Sequence, residues 1–243
     1  MLTPTAPDRD LVRRRVLVVG VGGLGSPAAS ALAAAGVGML GLVDPDVVEV
    51  SNLHRQPLFE RADIGRAKVE IAAARLRASR PDLDTQTWRL WFDATHADLV
   101  RQFDAVVDGT DTIAAKFAVN DAAVVAGVPL VHAGVLGFRV QLLTVLPGST
   151  CYRCVFEAAP PPSDIPSCEE AGVLGPLPAL AGALQAGEVI RLLTGRRVAF
   201  ADRLLAIDAR LGTWRTVPVA PSPRCPACAA WRATSTAARS ASP

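Results

Sequence analysis

The stretch Val16-Leu-Val-Val-Gly20-Val-Gly22-Gly23-Leu-Gly25-Ser26 constrains this chain more than any other. An apolar, β-branched run opens into a glycine-rich turn and then into an alanine-rich segment, which reads as strand, turn and helix. In such a unit Gly20 allows the tight turn out of the strand, Gly22 lets the backbone approach a phosphate, and Gly25 lets the helix (Ser26 to about Ala35) pack closely on the sheet. The helix N-terminus offers free N–H groups and a partial positive charge to an anion. A second strand, Met39-Leu-Gly-Leu-Val43, ends at Asp44, the acidic position that usually meets a ribose hydroxyl. The expectation is a nucleotide-binding α/β unit; a tight turn that serves structure alone is the competing reading.

The rest of the chain alternates in the same manner. A helix is expected over about Gly65–Ser79, stopped before Pro81, then a strand over Thr85–Leu90 and a helix over Ala94–Gln102. Phe103–Asp108 reads as a strand ending in Gly109-Thr-Asp-Thr112, and Ile113–Ala126 as a helix. Leu130-Val-His and Phe138–Leu146 suggest strands, with Gly134 and Gly137 between them permitting a sharp turn. A polar loop, Ser163–Glu170, precedes an apolar helix from about Leu174 to Leu193, and strands are expected near Arg203–Asp208 and Thr213–Pro218. The fold class is therefore α/β: a Rossmann-like, doubly wound, mostly parallel sheet with C-terminal antiparallel strands. One domain over 1–230 is expected, with a nucleotide-binding half (13–134), a second half (135–230) and a disordered tail (231–243).

Composition excludes several classes. A formal net charge of +2 leaves no nucleic-acid footprint. The least charged stretch, Ala171–Gly187, is too short and too interrupted by Pro176, Pro178 and glycines to span a bilayer. Residues 1–10 lack the apolar core of a secretion signal, so a cytoplasmic protein is expected.

Of five cysteines, four fall in two C-x-x-C pairs, Cys151-Tyr-Arg-Cys154 and Cys225-Pro-Ala-Cys228, while Cys168 stands alone. Each pair presents two thiolates from one tight turn, and two pairs close a tetrahedral Zn²⁺ site. Two disulfides are the alternative, disfavoured in a reducing compartment. Such a site is structural, pinning the C-terminal segment to the chain near Tyr152.

The loop after the second strand is dense in polar groups, among them Asp44, Asp46, Asn52, His54, Arg55 and Gln56. Ligands of open α/β sheets bind outside the carboxyl ends of the strands, where this loop must lie. Lys68 sits in the first turn of the next helix, where a cation opposes the helix dipole unless an anion is near. Asp111 closes another strand at the same edge, so acidic and basic side chains converge on one place.

Taken together, Gly20–Gly25, Asp44-Pro-Asp-Val-Val-Glu-Val-Ser-Asn-Leu-His-Arg-Gln56, Ile64-Gly-Arg-Ala-Lys68, Gly109-Thr-Asp111, the cysteine pairs and Cys168-Glu-Glu-Ala-Gly-Val-Leu-Gly-Pro176 resemble the MoeB/ThiF family, bacterial relatives of the ubiquitin-activating enzymes. The resemblance runs from about Arg13 to Cys228. It implies an ATP- and Mg²⁺-dependent adenylyltransferase, usually a homodimer, acting on the C-terminal glycine of a small ubiquitin-like sulfur-carrier protein ending in Gly-Gly, in molybdopterin or thiamine biosynthesis. It assigns Gly20, Gly22, Gly23 and Gly25 to the phosphates and Asp44 to the ribose. It assigns Asn52, Arg55 and Lys68 to the phosphates, and Asp111 to Mg²⁺ and catalysis. In sulfur-passing relatives a cysteine at the position of Cys168 forms a transient thioester or acyl disulfide.

That chemistry suits the residues. Both reactants are anionic, so the protein's part is positioning and charge neutralisation. No general base is needed, because a terminal carboxylate is ionised at pH 7. His54 then lines the site, while His96 and His132 are structural. The family's N-terminal Arg-Tyr-x-Arg-Gln helix, whose arginine reaches the partner subunit's ATP, is not found ahead of the first strand, and Arg9, Arg13, Arg14 and Arg15 are the candidates to replace it. Thr112 stands where Asn is common and Lys116 where Arg is common. Two other readings compete: a catalytically weak or silent module that holds a carrier protein, and an NAD-dependent oxidoreductase using the same glycine pattern.

Overall fold

The computed structural model describes residues 10–158, 172–228 and 231. Among them, eight strands form one sheet in the order β3-β2-β1-β4-β5-β6-β7-β8. Strands β1 (Arg15–Val19), β2 (Met39–Val43), β3 (Asp84–Trp88), β4 (Ala105–Asp108) and β5 (Leu130–Leu136) run parallel. Strands β6 (Arg139–Val145), β7 (Arg203–Asp208) and β8 (Thr213–Pro218) continue the sheet antiparallel. The chain winds outward from β1 through β2 to β3, then returns to the other side of β1 with β4. The crevice between β1 and β4 is thus the switch point where open sheets bind ligands.

Alternation along the strands sorts the core into two layers. Val16 and Val18 of β1 pack with α1 (Gly25–Ala35), α2 (Lys68–Ser79) and α6 (Pro176–Leu193) through Leu32, Leu76, Ala181 and Val189. Leu17 and Val19 face the opposite layer, with Val119 and Ala123 of α4 (Ile113–Ala126) and three of the paired cysteines, Cys151, Cys225 and Cys228. Both layers are built of buried apolar side chains, and each fully buried Val or Leu contributes roughly 1.5–3 kcal/mol. Helix α6 lies on the glycine-rich turn itself, because a Cβ on Gly182 would stand 2.3 Å from the carbonyl oxygen of Leu24.

Several boundaries differ from the sequence reading for local reasons. The α2 helix starts at Lys68 rather than near Gly65, since Gly65 sits at φ +85° and Ala67 is extended. Residues 94–102 split into a 3-10 turn (Ala94–His96) and a single α-turn, α3 (Ala97–Val100), with Asp93 capping the start through Thr95 N–H at 2.8 Å. Between β5 and β6 only Gly137 turns, at φ +58°, whereas Gly134 lies within the ladder opposite Gln141. The loop around Cys168 and the tail beyond Trp231 lie outside the described residues.

The glycines of the first turn are interlocked. Gly20 has φ +84°, and a Cβ on Gly25 would lie 1.8 Å from the Gly20 carbonyl oxygen. Gly109 closes the same contact from β4, where a Cβ would lie 2.4 Å from that oxygen. Gly25→Ala is therefore expected to cost about 3 kcal/mol in urea unfolding, the upper range of overpacking. A loss below 1 kcal/mol would show that the α1 start relaxes freely.

Candidate active site and thiol cluster

Asp44 leaves the end of β2 and is 4% exposed. Its Oδ2 accepts the Val21 N–H at 2.7 Å and its Oδ1 the Asp46 N–H at 2.9 Å, so the carboxylate holds the glycine-rich turn against the next loop. Each oxygen keeps a second lone pair for a ligand hydroxyl. Burial pushes the Asp44 carboxyl up, against the opposing pull of the Lys68 ammonium. Lys68, at the first position of α2, is itself buried and reaches Asp46 Oδ2 at 2.8 Å. A buried cation at a helix start, where the dipole opposes it, is thus compensated by Asp46. The backbone repeats the link, with the Lys68 N–H donating to the Asp46 carbonyl at 3.0 Å.

The loop between β2 and α2 brings Asn52, Arg55 and Gln56 to the same edge. Asn52 and Gln56 are buried, yet Asn52 Oδ1 and Gln56 Oε1 accept no hydrogen bond from the described residues. Buried amide oxygens without donors cost about 1–3 kcal/mol each, and a ligand's hydroxyl or amine N–H would satisfy them. Gln56 Nε2 would lie 3.5 Å from a Cβ on Gly22, an ordinary contact, so Gly22 has room that Gly20 and Gly25 lack. A Cβ on Gly23 would meet Pro178 at 3.1 Å, so packing of α6 bears on that glycine too. Arg55 is half-buried and donates to the Ser51 carbonyl at 3.1 Å; His54 is exposed beside it.

Across the crevice, β4 delivers Asp108 and then the turn carrying Asp111. Asp111 is exposed, and among the described residues its carboxylate has no hydrogen-bond or ion-pair partner. Asp108, by contrast, is wholly buried beside Lys116 Nζ at 3.3 Å and His132 Nδ1 at 2.5 Å, and it accepts from Thr110 N–H and Oγ1 at 2.9 and 2.6 Å. Burial alone would raise its carboxyl; the Lys116 ammonium and the His132 ring overcome this and hold it far below the usual range. Burial pushes the His132 ring down, against the opposing pull of the Asp108 carboxylate. His132 is thus buried against Asp108, and His96 stacks 5.1 Å from Phe92. Gln185, which sequence reasoning passed over, donates from α6 to the carbonyls of Asp108 and Val131 at 2.8 and 2.9 Å. An amide amid Leu, Ala and Gly in a buried helix was the signal available.

The N-terminal arginines stand elsewhere. Arg14 and Arg15 lie at the opening end of β1, where Arg14 pairs with Asp104 at 3.5 Å and Arg15 covers Phe103 at 5.5 Å. The five residues of β1 separate them by about 16 Å from the glycine-rich turn of their own chain. Arg9 and Cys168 lie outside the described residues.

The two cysteine pairs meet on the α4 side of the sheet. Cys151 precedes α5 (Tyr152–Phe156) and Cys225 and Cys228 follow β8. All four sulfurs lie within 4.8 Å of one another, at 3.7 Å (Cys151 to Cys154), 3.5 Å (Cys151 to Cys225) and 3.4 Å (Cys154 to Cys228). Disulfide sulfurs would be about 2.05 Å apart, whereas thiolates 2.3 Å from a tetrahedral Zn²⁺ stand about 3.8 Å apart. The cysteines are free thiols in a set that fits zinc. Burial and the neighbouring sulfurs push Cys151 and Cys228 up, the latter to about 12, whereas at Cys225 burial is outweighed by the N–H groups of Cys228 and Ala227 and the sulfurs of Cys151 and Cys154, which hold it below the ordinary thiol value; a bound cation would favour ionisation of the set. Asp202 joins the two segments: its Oδ1 accepts from Thr150 N–H and Oγ1, both at 2.8 Å, and its carbonyl from Val219 N–H at 3.1 Å. Asn120 and Asp121 of α4 hold the first pair, through Tyr152 N–H at 2.9 Å and a bidentate Arg153 at 2.7 Å.

No helix among the described residues is long and apolar enough to cross a membrane. The family described as "ThiF family" matches residues 3–227. A Thermus thermophilus protein named sulfur carrier protein adenylyltransferase is 43% identical over 93% of this chain and 85% of its own. A Haloferax volcanii protein named SAMP-activating enzyme E1 is 43% identical over 90% of this chain and 81% of its own. The pig adenylyltransferase and sulfurtransferase MOCS3 is 45% identical, but this chain spans only 49% of it. Among solved structures, an E. coli MccB crystal structure superposes with a TM-score of 0.79 at 25% identity, covering 90% of this chain and 66% of that one. With the glycine-rich turn, the acidic strand ends and the four-thiol cluster in place, the chain belongs to the ThiF family, and it is an adenylyltransferase of the MoeB/ThiF type.

Proposed function

We propose that the chain binds ATP in the crevice between β1 and β4 and uses it to adenylate the C-terminal glycine of a small ubiquitin-like sulfur-carrier protein ending in Gly-Gly. The observation that carries this is the convergence at one sheet edge of a buried cation, Lys68, and three groups without partners among the described residues: the buried amide oxygens of Asn52 and Gln56 and the carboxylate of Asp111. The relatives' names support it, since one is called a sulfur carrier protein adenylyltransferase and another a SAMP-activating enzyme. The product serves molybdopterin or thiamine biosynthesis.

In this reading the carrier's carboxylate attacks the α-phosphorus of ATP and pyrophosphate leaves. Gly20, Gly22, Gly23 and Gly25 line the phosphates, Asp44 accepts from a ribose hydroxyl, and Asn52, Arg55 and Lys68 face the phosphates. Asp111 would hold Mg²⁺, which when bound supplies charge neutralisation on the phosphate oxygens. Lys68 exchanges Asp46 for phosphate, which keeps the buried ammonium paired throughout. The four cysteines hold a structural Zn²⁺, residues 1–230 act as one domain with its two halves divided near 134, and the active unit is a cytoplasmic homodimer. An arginine from residues 9–15 would cross to the partner's ATP, and Cys168 is the candidate for covalent transfer.

Two measurements test this. With a purified ubiquitin-like protein ending in Gly-Gly, labelled pyrophosphate should exchange into ATP, and deleting the terminal glycine should stop it; exchange that persists without the glycine contradicts the proposal. Gly22→Ala should fold with stability within about 0.5 kcal/mol of the parent, because the added Cβ meets nothing closer than 3.5 Å, yet bind ATP at least tenfold more weakly. Unchanged ATP affinity would remove Gly22 from the phosphate path.

A further inference from the structure

The turn from Gly109 to Thr112 is tied down on both sides of Asp111. Gly109 N–H donates to the Val19 carbonyl at 2.7 Å, Thr110 is bound twice to Asp108 Oδ1, and Thr112 Oγ1 caps α4 by accepting from Ala115 N–H at 3.2 Å. The remaining tie comes from Lys116, one turn into α4. Its ammonium donates to the Thr110 carbonyl at 2.7 Å and the Ala133 carbonyl at 2.6 Å, and reaches Asp108 Oδ2 at 3.3 Å. An ammonium has three N–H donors, and all three are engaged here. Lys116 is 6% exposed, and no donor is left over for a phosphate.

We propose that Lys116 is a positioning residue: it ties the Asp111 turn to β5 and so sets where the Asp111 carboxylate stands, without touching nucleotide. Asp111 has no partner of its own among the described residues, so its placement depends on its backbone. A buried ion pair such as Asp108 with Lys116 contributes little net stability over an apolar replacement. What it supplies is direction, since a methionine in its place would fill the space and leave two carbonyls untied. A misplacement of about 1 Å can cost a hundredfold in a reaction that depends on alignment.

The proposal rests on the reading of Asp111 as the Mg²⁺-holding carboxylate, and ATP binding measured calorimetrically in excess Mg²⁺ and in EDTA separates the two. The parent should bind ATP at least tenfold more tightly with Mg²⁺, and Asp111→Ala should abolish that gain. Lys116→Met should lose most of the gain while its affinity in EDTA stays within twofold of the parent, Lys116→Arg should regain part of it, and adding Lys116→Met to Asp111→Ala should change nothing further. An EDTA affinity weakened tenfold in Lys116→Met would make Lys116 a phosphate ligand and overturn the proposal. A full Mg²⁺ gain in Lys116→Met, with none in Asp111→Ala, would overturn the positioning role alone. No Mg²⁺ gain in the parent, or an intact gain in Asp111→Ala, would overturn the Asp111 reading and the proposal with it. If Lys116→Met does not fold, the double variant Asp108→Asn/Lys116→Met, which buries no lone charge, carries the same expectations and the same contrary results.

Discussion

Asp111→Ala and Lys68→Ala each reduce carrier-dependent pyrophosphate exchange by at least about a hundredfold, the size expected when one preorganised charge is removed from a phosphoryl-transfer site. The two losses differ in kind. Asp111 is exposed and unpartnered among the described residues, so Asp111→Ala leaves stability within about 0.5 kcal/mol of the parent. Lys68 is buried against Asp46 at 2.8 Å and is the main charge offsetting the buried Asp44. Removing it leaves the buried Asp44 carboxylate without its offsetting charge, while the exposed Asp46 stays hydrated, so Lys68→Ala also lowers stability by roughly 1–3 kcal/mol, the cost of leaving a buried polar group uncompensated. Urea unfolding and exchange assays on the same preparations distinguish the effects. Exchange at the parental rate in both variants would dissolve the proposed site.

One Zn²⁺ per chain is the second large expectation, with chelation or Cys225→Ser destabilising the protein severely. Structural zinc in small peptides binds with an apparent free energy of roughly 10–16 kcal/mol, and even a third of that exceeds half the stability of a marginal domain. The damage should spread beyond the cysteines. Cys151 adjoins Tyr152 and Arg153, which Asn120 and Asp121 hold against α4, and Tyr152 stacks 4.2 Å from His132 beside Asp108. Hydrogen exchange should therefore quicken first around residues 150–156 and 213–228, then in α4. A zinc-free protein with intact thiols and an unchanged melting temperature would count against the site.

The parallel half of the sheet was legible because its signals are local. Strand runs end in Gly20, Asp44 and Gly109, where turn chemistry and strand ends coincide, and Thr213–Pro218 and Arg203–Asp208 appear at the bounds their composition suggests. What escaped was held together by contacts distant in sequence. Gln185 gains meaning only when α6 lies across β4 and β5, 77 residues from the carbonyl of Asp108. The Asp202 link to Thr150 spans 52 residues and is what lets the cysteine pairs meet. In the sequence Lys116 shows only as a lysine where the resembled family commonly has Arg; the fold turns it inward, because α4 brings it under the Thr110 carbonyl.

The central claim is that the carrier's terminal carboxylate attacks the α-phosphorus. A carrier labelled with ¹⁸O in both oxygens of that carboxylate, incubated with ATP, Mg²⁺ and hydroxylamine, tests it most directly. Hydroxylamine attacks the acyl carbon and releases AMP with the former bridging oxygen. The account predicts AMP carrying one ¹⁸O, unlabelled pyrophosphate and a carrier hydroxamate in equal amounts. Unlabelled AMP, or ADP with labelled inorganic phosphate, would contradict it.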